Sequence, residues 1–278
     1  LARRMSRLDG DARSIDVLER SLFNGVLAGL SLSGDRFFYA NPLASAGGHE
    51  RQPFFDCACC PTSLVRLLPS IEDLCATRTD DGVRLDLYAA GRLAFDGVAA
   101  RVVTGYPWAG GVRIEIEKAK PHDFVLRLRV PGWCRRHVIR VNGTRFDAPV
   151  ERGYAVLERT WHRGDVVELE IVMLVERTHV DDRVASARGR TAIQRGPLVY
   201  CVEGIDHGGR VDDLVLPPTS ALDAVIRPRH LGGVITITGE ARREGRPVLL
   251  EAIPYYAWQN RDAGAMRVWI PETPDALP

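Results

Sequence analysis

The spacing of apolar residues changes period once along this chain, and that change limits the fold more than any other feature. Between Ala12 and Leu30, apolar residues recur at Ile15, Leu18, Leu22, Val26 and Leu30, the steps of a helix with one buried face. A second helix is predicted after the cysteine-rich turn at 57–60, with Leu64, Leu67, Leu68, Ile71 and Leu74 on one side. Beyond Asp80 the period is two. Segments 83–88 (VRLDLY), 112–117 (VRIEIE), 124–130, 154–158 and 166–172 alternate as half-buried strands do, and 197–203, 234–238, 248–253 and 266–270 continue the pattern. Turn residues at 141–143 (VNG) and 163–165 (RGD) punctuate them. Many short strands separated by turns predict β-sandwiches. The expected architecture is therefore α+β and multidomain: helices over 1–78, one β-sandwich over 79–180 and a second over 181–278.

With 278 residues, 45% of them hydrophobic, the chain can bury a large core. A formal charge of +1 without a basic run argues against nucleic acid as a partner. No apolar stretch approaches the roughly 18 residues of a membrane span. The chain opens at Leu1 inside an amphipathic pattern with no helix-start signal, which reads as a segment of a longer protein. No secretory signal is visible, and a cytoplasmic location is expected.

The stretch FFDCACCPT places Cys57, Cys59 and Cys60 within four positions of a chain that has six cysteines. Adjacent cysteines pair poorly with each other, and a chain this long does not need stapling, so reduced thiols in metal or catalytic use are expected. Pro61 suits the first helical position, which makes Cys60 the expected N-cap with Cys59 just ahead of it. Backbone N–H groups at such a helix start favour thiolates, as would a bound Zn²⁺. A structural zinc site needs four ligands, more than these three neighbours can supply. His49 is the nearest other candidate, and there is no second CxxC or HxxxH motif, so the site is incomplete within this segment. Cys75, Cys134 and Cys201 lie in apolar or strand patterns and read as packing residues. A thiol redox protein would show CxxC at a helix start in a βαβ pattern, and this chain shows neither. Glu19 falls on or beside the first apolar stripe, either paired in a core or lining a pocket, and geometry alone favours the paired core.

The run RQPFFDCACCPTSLVRLLPSI, preceded by FFYANPL and followed by VPGWC, VNG, RGPLVYCVE and IPYYAWQNR, resembles the glycoside hydrolase family of β-L-arabinofuranosidases (family 127-like, formerly a domain of unknown function). The resemblance covers nearly the whole chain in the family's order and implies its C-terminal portion. On that basis the chain would hold the last helices of an (α/α)₆ barrel, up to about Leu74, followed by two jelly-roll-like β-sandwiches. The resemblance further implies a retaining exo-glycosidase acting on L-arabinofuranosides or related glycans. Cys59 would be the nucleophile and a Zn²⁺ ligand, Cys60 a second Zn²⁺ ligand, and Glu19 and Tyr39 substrate contacts. Cys57 receives no role. In the family, two further zinc ligands (a Glu-x-Cys pair), the general acid/base and several histidines lie upstream of the stretch matching LARRM. Turnover is therefore not expected of the chain alone. Thr62 and Ser63 also stand where the family usually continues with Pro and Asn. A carbohydrate is the expected partner, and a homodimer is another, because the family's sandwich domains often take part in dimer contacts. The alternative is a non-catalytic module with a structural metal, binding glycan or a partner subunit through aromatics such as Trp108, Trp133, Trp161 and Tyr255.

Overall fold

The computed structural model describes residues 1–57, 59–119, 122–181 and 183–277, with only the backbone of His122. It is mostly β-sheet with few helices. The chain divides into two compact units, one built from 1–20 and 66–173, the other from 21–65 and 174–278. Among the described residues no helix is long and apolar enough to cross a membrane.

The first unit is a β-sandwich carrying helical segments. Its five-stranded sheet runs, in spatial order, Val150–Glu151, Tyr154–Trp161, His122–Arg129, Gly82–Leu85 and Ala76–Thr79. The pair Gly82–Leu85 with His122–Arg129 is parallel. The six-stranded sheet runs Gly91–Phe95, Val98–Thr104, Gly111–Lys118, Val166–Ile171, His137–Val141 and Thr144–Arg145, antiparallel throughout. The residues picked out by the two-residue period form the layer between the sheets. Leu126 and Leu128 pair with Leu157 and Ala155 from one side, and Val112, Ile114, Ile116, Val167 and Leu169 close from the other. Each large side chain buried this way contributes about 1.5–3 kcal/mol, and a one-residue slip of register would move the whole set into water. Trp161 is fully buried at the end of its strand, its indole N–H donating to the Phe124 carbonyl at 3.0 Å.

The strands at Gly91–Phe95, Val98–Thr104 and His137–Val141 were not expected from the periodicity. Val98–Thr104 does alternate, with Val98, Ala100 and Val102 buried, but alanine at 99 and 100 blurs the apolar signal. The helices of this unit are Ala2–Asp9, ended by left-handed Gly10, Ala12–Arg20 and, past residue 66, the short Leu68–Ser70 and Glu72–Cys75 segments.

In the second unit the helical path continues as a π-helix, Ser21–Val26. Buried Asn24 anchors this wide turn: its amide donates to the Pro197 carbonyl at 2.8 Å and accepts from the Val199 N–H at 2.8 Å. Its strands, among the described residues, join in a nine-stranded network. The main path is Ala44–Ser45, Met266–Arg267, Leu198–Glu203, Arg246–Pro254, Val234–Arg243 and Leu222–Arg227, and Arg190–Arg195 branches from it with Val175–Thr178 and Ile270–Pro271. Phe38, Cys201, Ile253, Tyr255, Trp258 and Met266 pack one core cluster there. The second expected helix starts at Cys59 and is not continuous. Cys59–Leu67 passes into a 3₁₀ turn, Leu68–Ser70, and then a short helix, Glu72–Cys75. Pro69 is the cause, because it lacks the N–H that an unbroken helix would use and its ring crowds the preceding turn.

Candidate functional site

The helix Cys59–Leu67 takes both adjacent cysteines into its first turn, so Cys60 is not the N-cap that Pro61 suggested. Proline is tolerated throughout the first turn, because none of those N–H groups has an intrahelical partner; its presence fixes the helix start only to within that turn. The Cys59 and Cys60 sulfurs lie 3.7 Å apart, and the Cys60 thiol points at the Tyr39 carbonyl at 3.9 Å. The Thr62 hydroxyl donates to the Cys59 carbonyl at 3.1 Å. Cys57 and Cys59 are exposed and Cys60 is half-buried.

The two thiols differ electrostatically. Hydrogen bonding from Cys60, then from Cys57 and Tyr39, holds Cys59 below the ordinary thiol value. Cys60 is pushed up, by desolvation and then by Cys59. Tyr39, whose ring stands edge-on to Phe55 at 5.6 Å, is pushed up by the charge on Cys59. The arrangement thus offers one thiol that ionises first, beside a protonated phenol and a second thiol.

A sulfur–sulfur distance of 3.7 Å is also close to the edge of a sulfur tetrahedron around a metal with bonds of about 2.3 Å, which is roughly 3.8 Å. The pair therefore fits two corners of a tetrahedral thiolate site. Among the described residues no group of three or more His, Cys, Asp or Glu side chains is arranged to hold a metal. His49, the nearest other ligand type in sequence, is engaged elsewhere: it stacks on Phe38 at 4.7 Å and bonds the Ala40 carbonyl at 3.0 Å.

Glu19 is in the first unit and is 1% exposed. Its carboxylate accepts from the Arg129 guanidinium, from the Tyr106 hydroxyl at 2.6 Å and from the Trp133 indole at 3.2 Å. Burial and the Glu19 charge push Tyr106 well up, which keeps its hydroxyl a donor. This is the paired-core arrangement. Tyr106 and Arg129 share Oε1 while Trp133 alone bonds Oε2, so one acceptor position is left on Oε2 for the substrate contact implied by the resemblance. The signal for this was hard to find, because the three partners lie at least 87 residues away in sequence.

The aromatics named for a glycan-binding surface are mostly interior. Trp161 is 0% and Tyr255 2% exposed, Trp133 is occupied by Glu19, and Trp108 is half-buried. Cys201 is fully buried, while Cys75 and Cys134 are half-buried and pushed up by desolvation, as packing thiols are.

Three family models match the chain in order: the β-L-arabinofuranosidase GH127 catalytic domain over residues 1–73, the GH127 middle domain over 82–173 and the glycoside hydrolase family 127 C-terminal domain over 175–271. A curated relative, the non-reducing end β-L-arabinofuranosidase of Bifidobacterium longum subsp. longum, is 33% identical over 96% of this chain and 47% of its own length. A solved structure described as a GH127 β-arabinofuranosidase superposes with a TM-score of 0.93 at 35% identity, covering 100% of this chain and 48% of that one. Another, a GH127 β-L-arabinofuranosidase from Geobacillus stearothermophilus T6, gives 0.89 at 38% identity, covering 98% and 48%. The chain thus spans about half the length of these relatives. Matched end to end by the catalytic, middle and C-terminal models in sequence, it belongs to glycoside hydrolase family 127, the family of the β-L-arabinofuranosidases.

Proposed function

We propose that this chain is the C-terminal part of a retaining exo-glycosidase that releases L-arabinofuranose or a closely related sugar, with Cys59 as the nucleophile. The observation that carries this reading is the pair of thiols 3.7 Å apart at a helix start, the first of them the more acidic, beside the phenol of Tyr39. Residues 1–78 would complete an (α/α)₆ catalytic barrel, with jelly-roll-like sandwiches over 79–180 and 181–278. The general acid/base would come from outside these residues.

In this reading Cys59 attacks the anomeric carbon, the glycosidic oxygen leaves with a proton from the acid/base, and a thioglycoside forms on Cys59. Water then attacks the same carbon, giving its proton to the acid/base group now acting as base, and the Cys59 thiolate leaves, so two inversions give net retention. Tyr39, exposed at the turn, donates a hydrogen bond to the sugar. Glu19 holds Arg129 and would contact the sugar through its Oε2. Cys59 and Cys60 would hold a zinc ion, with its remaining ligands outside this chain. Zinc would keep Cys59 a thiolate at neutral pH and steady it as a leaving group.

The test is Cys59→Ala in the full-length protein, assayed on a chromogenic β-L-arabinofuranoside. The expected loss in kcat/KM is roughly 10³-fold or more, with the melting temperature unchanged. Near-native turnover by this variant would overturn the mechanism.

A further inference from the structure

The loop at 37–42, within FFYANPL, is tied down at nearly every residue. Phe37 exchanges backbone hydrogen bonds with Gln52, both at 2.8 Å, and the Phe38 N–H donates to Gly29 at 3.0 Å. His49 bonds the Ala40 carbonyl, Asn41 donates to Gly25 at 3.1 Å, and the Tyr255 hydroxyl donates to the Pro42 carbonyl at 2.9 Å. Within this loop the Tyr39 side chain is 57% exposed and reaches towards Cys59.

Arg51, 3% exposed, meets this loop through the Phe38 ring. Its guanidinium donates to the carbonyls of Ala28 at 2.9 Å, Trp258 at 2.8 Å and Gln259 at 3.0 Å, and lies 4.1 Å above the Phe38 ring. Phe38 in turn packs on His49 and on Trp258, the latter at 4.9 Å. Among the described residues Arg51 makes no ion pair with a carboxylate, and burial pulls it down to about 10. The Glu203 charge offsets part of the cost of burying this cation, and the carbonyls of Ala28, Trp258 and Gln259 supply the direct contacts. Only a planar fork of five donors can join the 27–29 turn, the 256–259 corner and the Phe38 ring at once.

We infer that Arg51 is a positioning residue, fixing the 37–42 loop so that Tyr39 is presented to Cys59; its consequence for turnover rests on the glycosidase reading above. Lysine at 51 would keep the charge, but with three donors on one atom it could not reach both carbonyl clusters and cover the ring. Methionine would fill the stem volume and make none of these bonds.

Two measurements on the full-length protein test this. In hydrogen–deuterium exchange, Arg51→Lys should speed exchange of the 37–43 segment about tenfold while leaving the Leu198–Glu203 strand protected. Unchanged exchange at 37–43 would overturn the inference, and this arm needs no activity. In a kinetic cycle, Arg51→Met should lower kcat about tenfold in the native background but less than about twofold once Tyr39 is Phe, because its effect passes through the phenol. Equal losses in both backgrounds would assign Arg51 a general structural role and overturn the proposal. If Arg51→Met does not melt cooperatively, Arg51→Lys replaces it in the cycle with the same criterion. Turnover that survives Cys59→Ala would sink the glycosidase mechanism and leave the exchange result standing.

Discussion

Glu19 shows what one residue can reveal and conceal. It shares Arg129 with Asp16, whose carboxylate accepts from the Arg129 guanidinium at 2.6 Å and from the Gly132 N–H at 3.1 Å. The Arg129 side chain is completely buried. Glu19→Ala would leave that cation with half its compensation, and the expected cost is about 3–5 kcal/mol in denaturant unfolding, with Glu19→Gln intermediate. Loss of less than 1 kcal/mol would mean that Asp16 suffices. Sequence showed that Glu19 sits on an inward stripe. It could not show which donors meet it, because Tyr106, Arg129 and Trp133 are brought there by strand register, not by local spacing.

At the scale of elements, the parallel pairing of Gly82–Leu85 with His122–Arg129 depends on an approach that only glycine permits. A Cβ at Gly82 would lie 2.1 Å from the Val125 carbonyl oxygen, on backbone that cannot yield without breaking the pair. Gly82→Ala should therefore destabilise the first unit by several kcal/mol, on the order of the larger single-site effects, whereas alanine at open Gly91 should cost less than about 1 kcal/mol. Equal melting temperatures for the two variants would refute this. Strong alternators such as 112–117 and 166–172 announced themselves as strands because each buries β-branched residues on one face only. Leu222–Arg227, at the sheet edge, has its residues exposed or only half-buried, and so carried no period to read. Proline gave the start of the cysteine helix only approximately, and the apolar spacing continues across Pro69, which hides the break there.

For the whole molecule, acid and chelation are the informative perturbations. Hydrogen bonds from Arg127 hold Asp81 down to about 2, and those from Arg113 and Arg101 hold Glu115 below its ordinary value. Groups depressed in the folded state stabilise it fully above their unfolded values, near pH 4, and lose that contribution as pH falls towards 2. The melting temperature should drop across that window, modestly because these pairs are at the surface, and less steeply in Arg127→Gln. An unchanged slope in that variant would remove the Asp81 pair as a cause. Prolonged chelation of the full-length protein should abolish glycosidase turnover, and zinc should restore it; activity indifferent to chelation would exclude the metal.

By itself the sequence determined that helical segments come mainly before the strands and which faces of the strongly alternating strands are buried. These depend on local spacing, 3.6 or two residues per repeat. Tertiary structure alone decided that residues 1–20 join the first sandwich unit while 21–65 join the second, that Glu19 is neutralised by Arg129, and that Arg51 braces the loop bearing Tyr39. Each depends on contacts between residues far apart in the chain. Such contacts follow from which sheets form and in what register, which no window of neighbouring residues encodes.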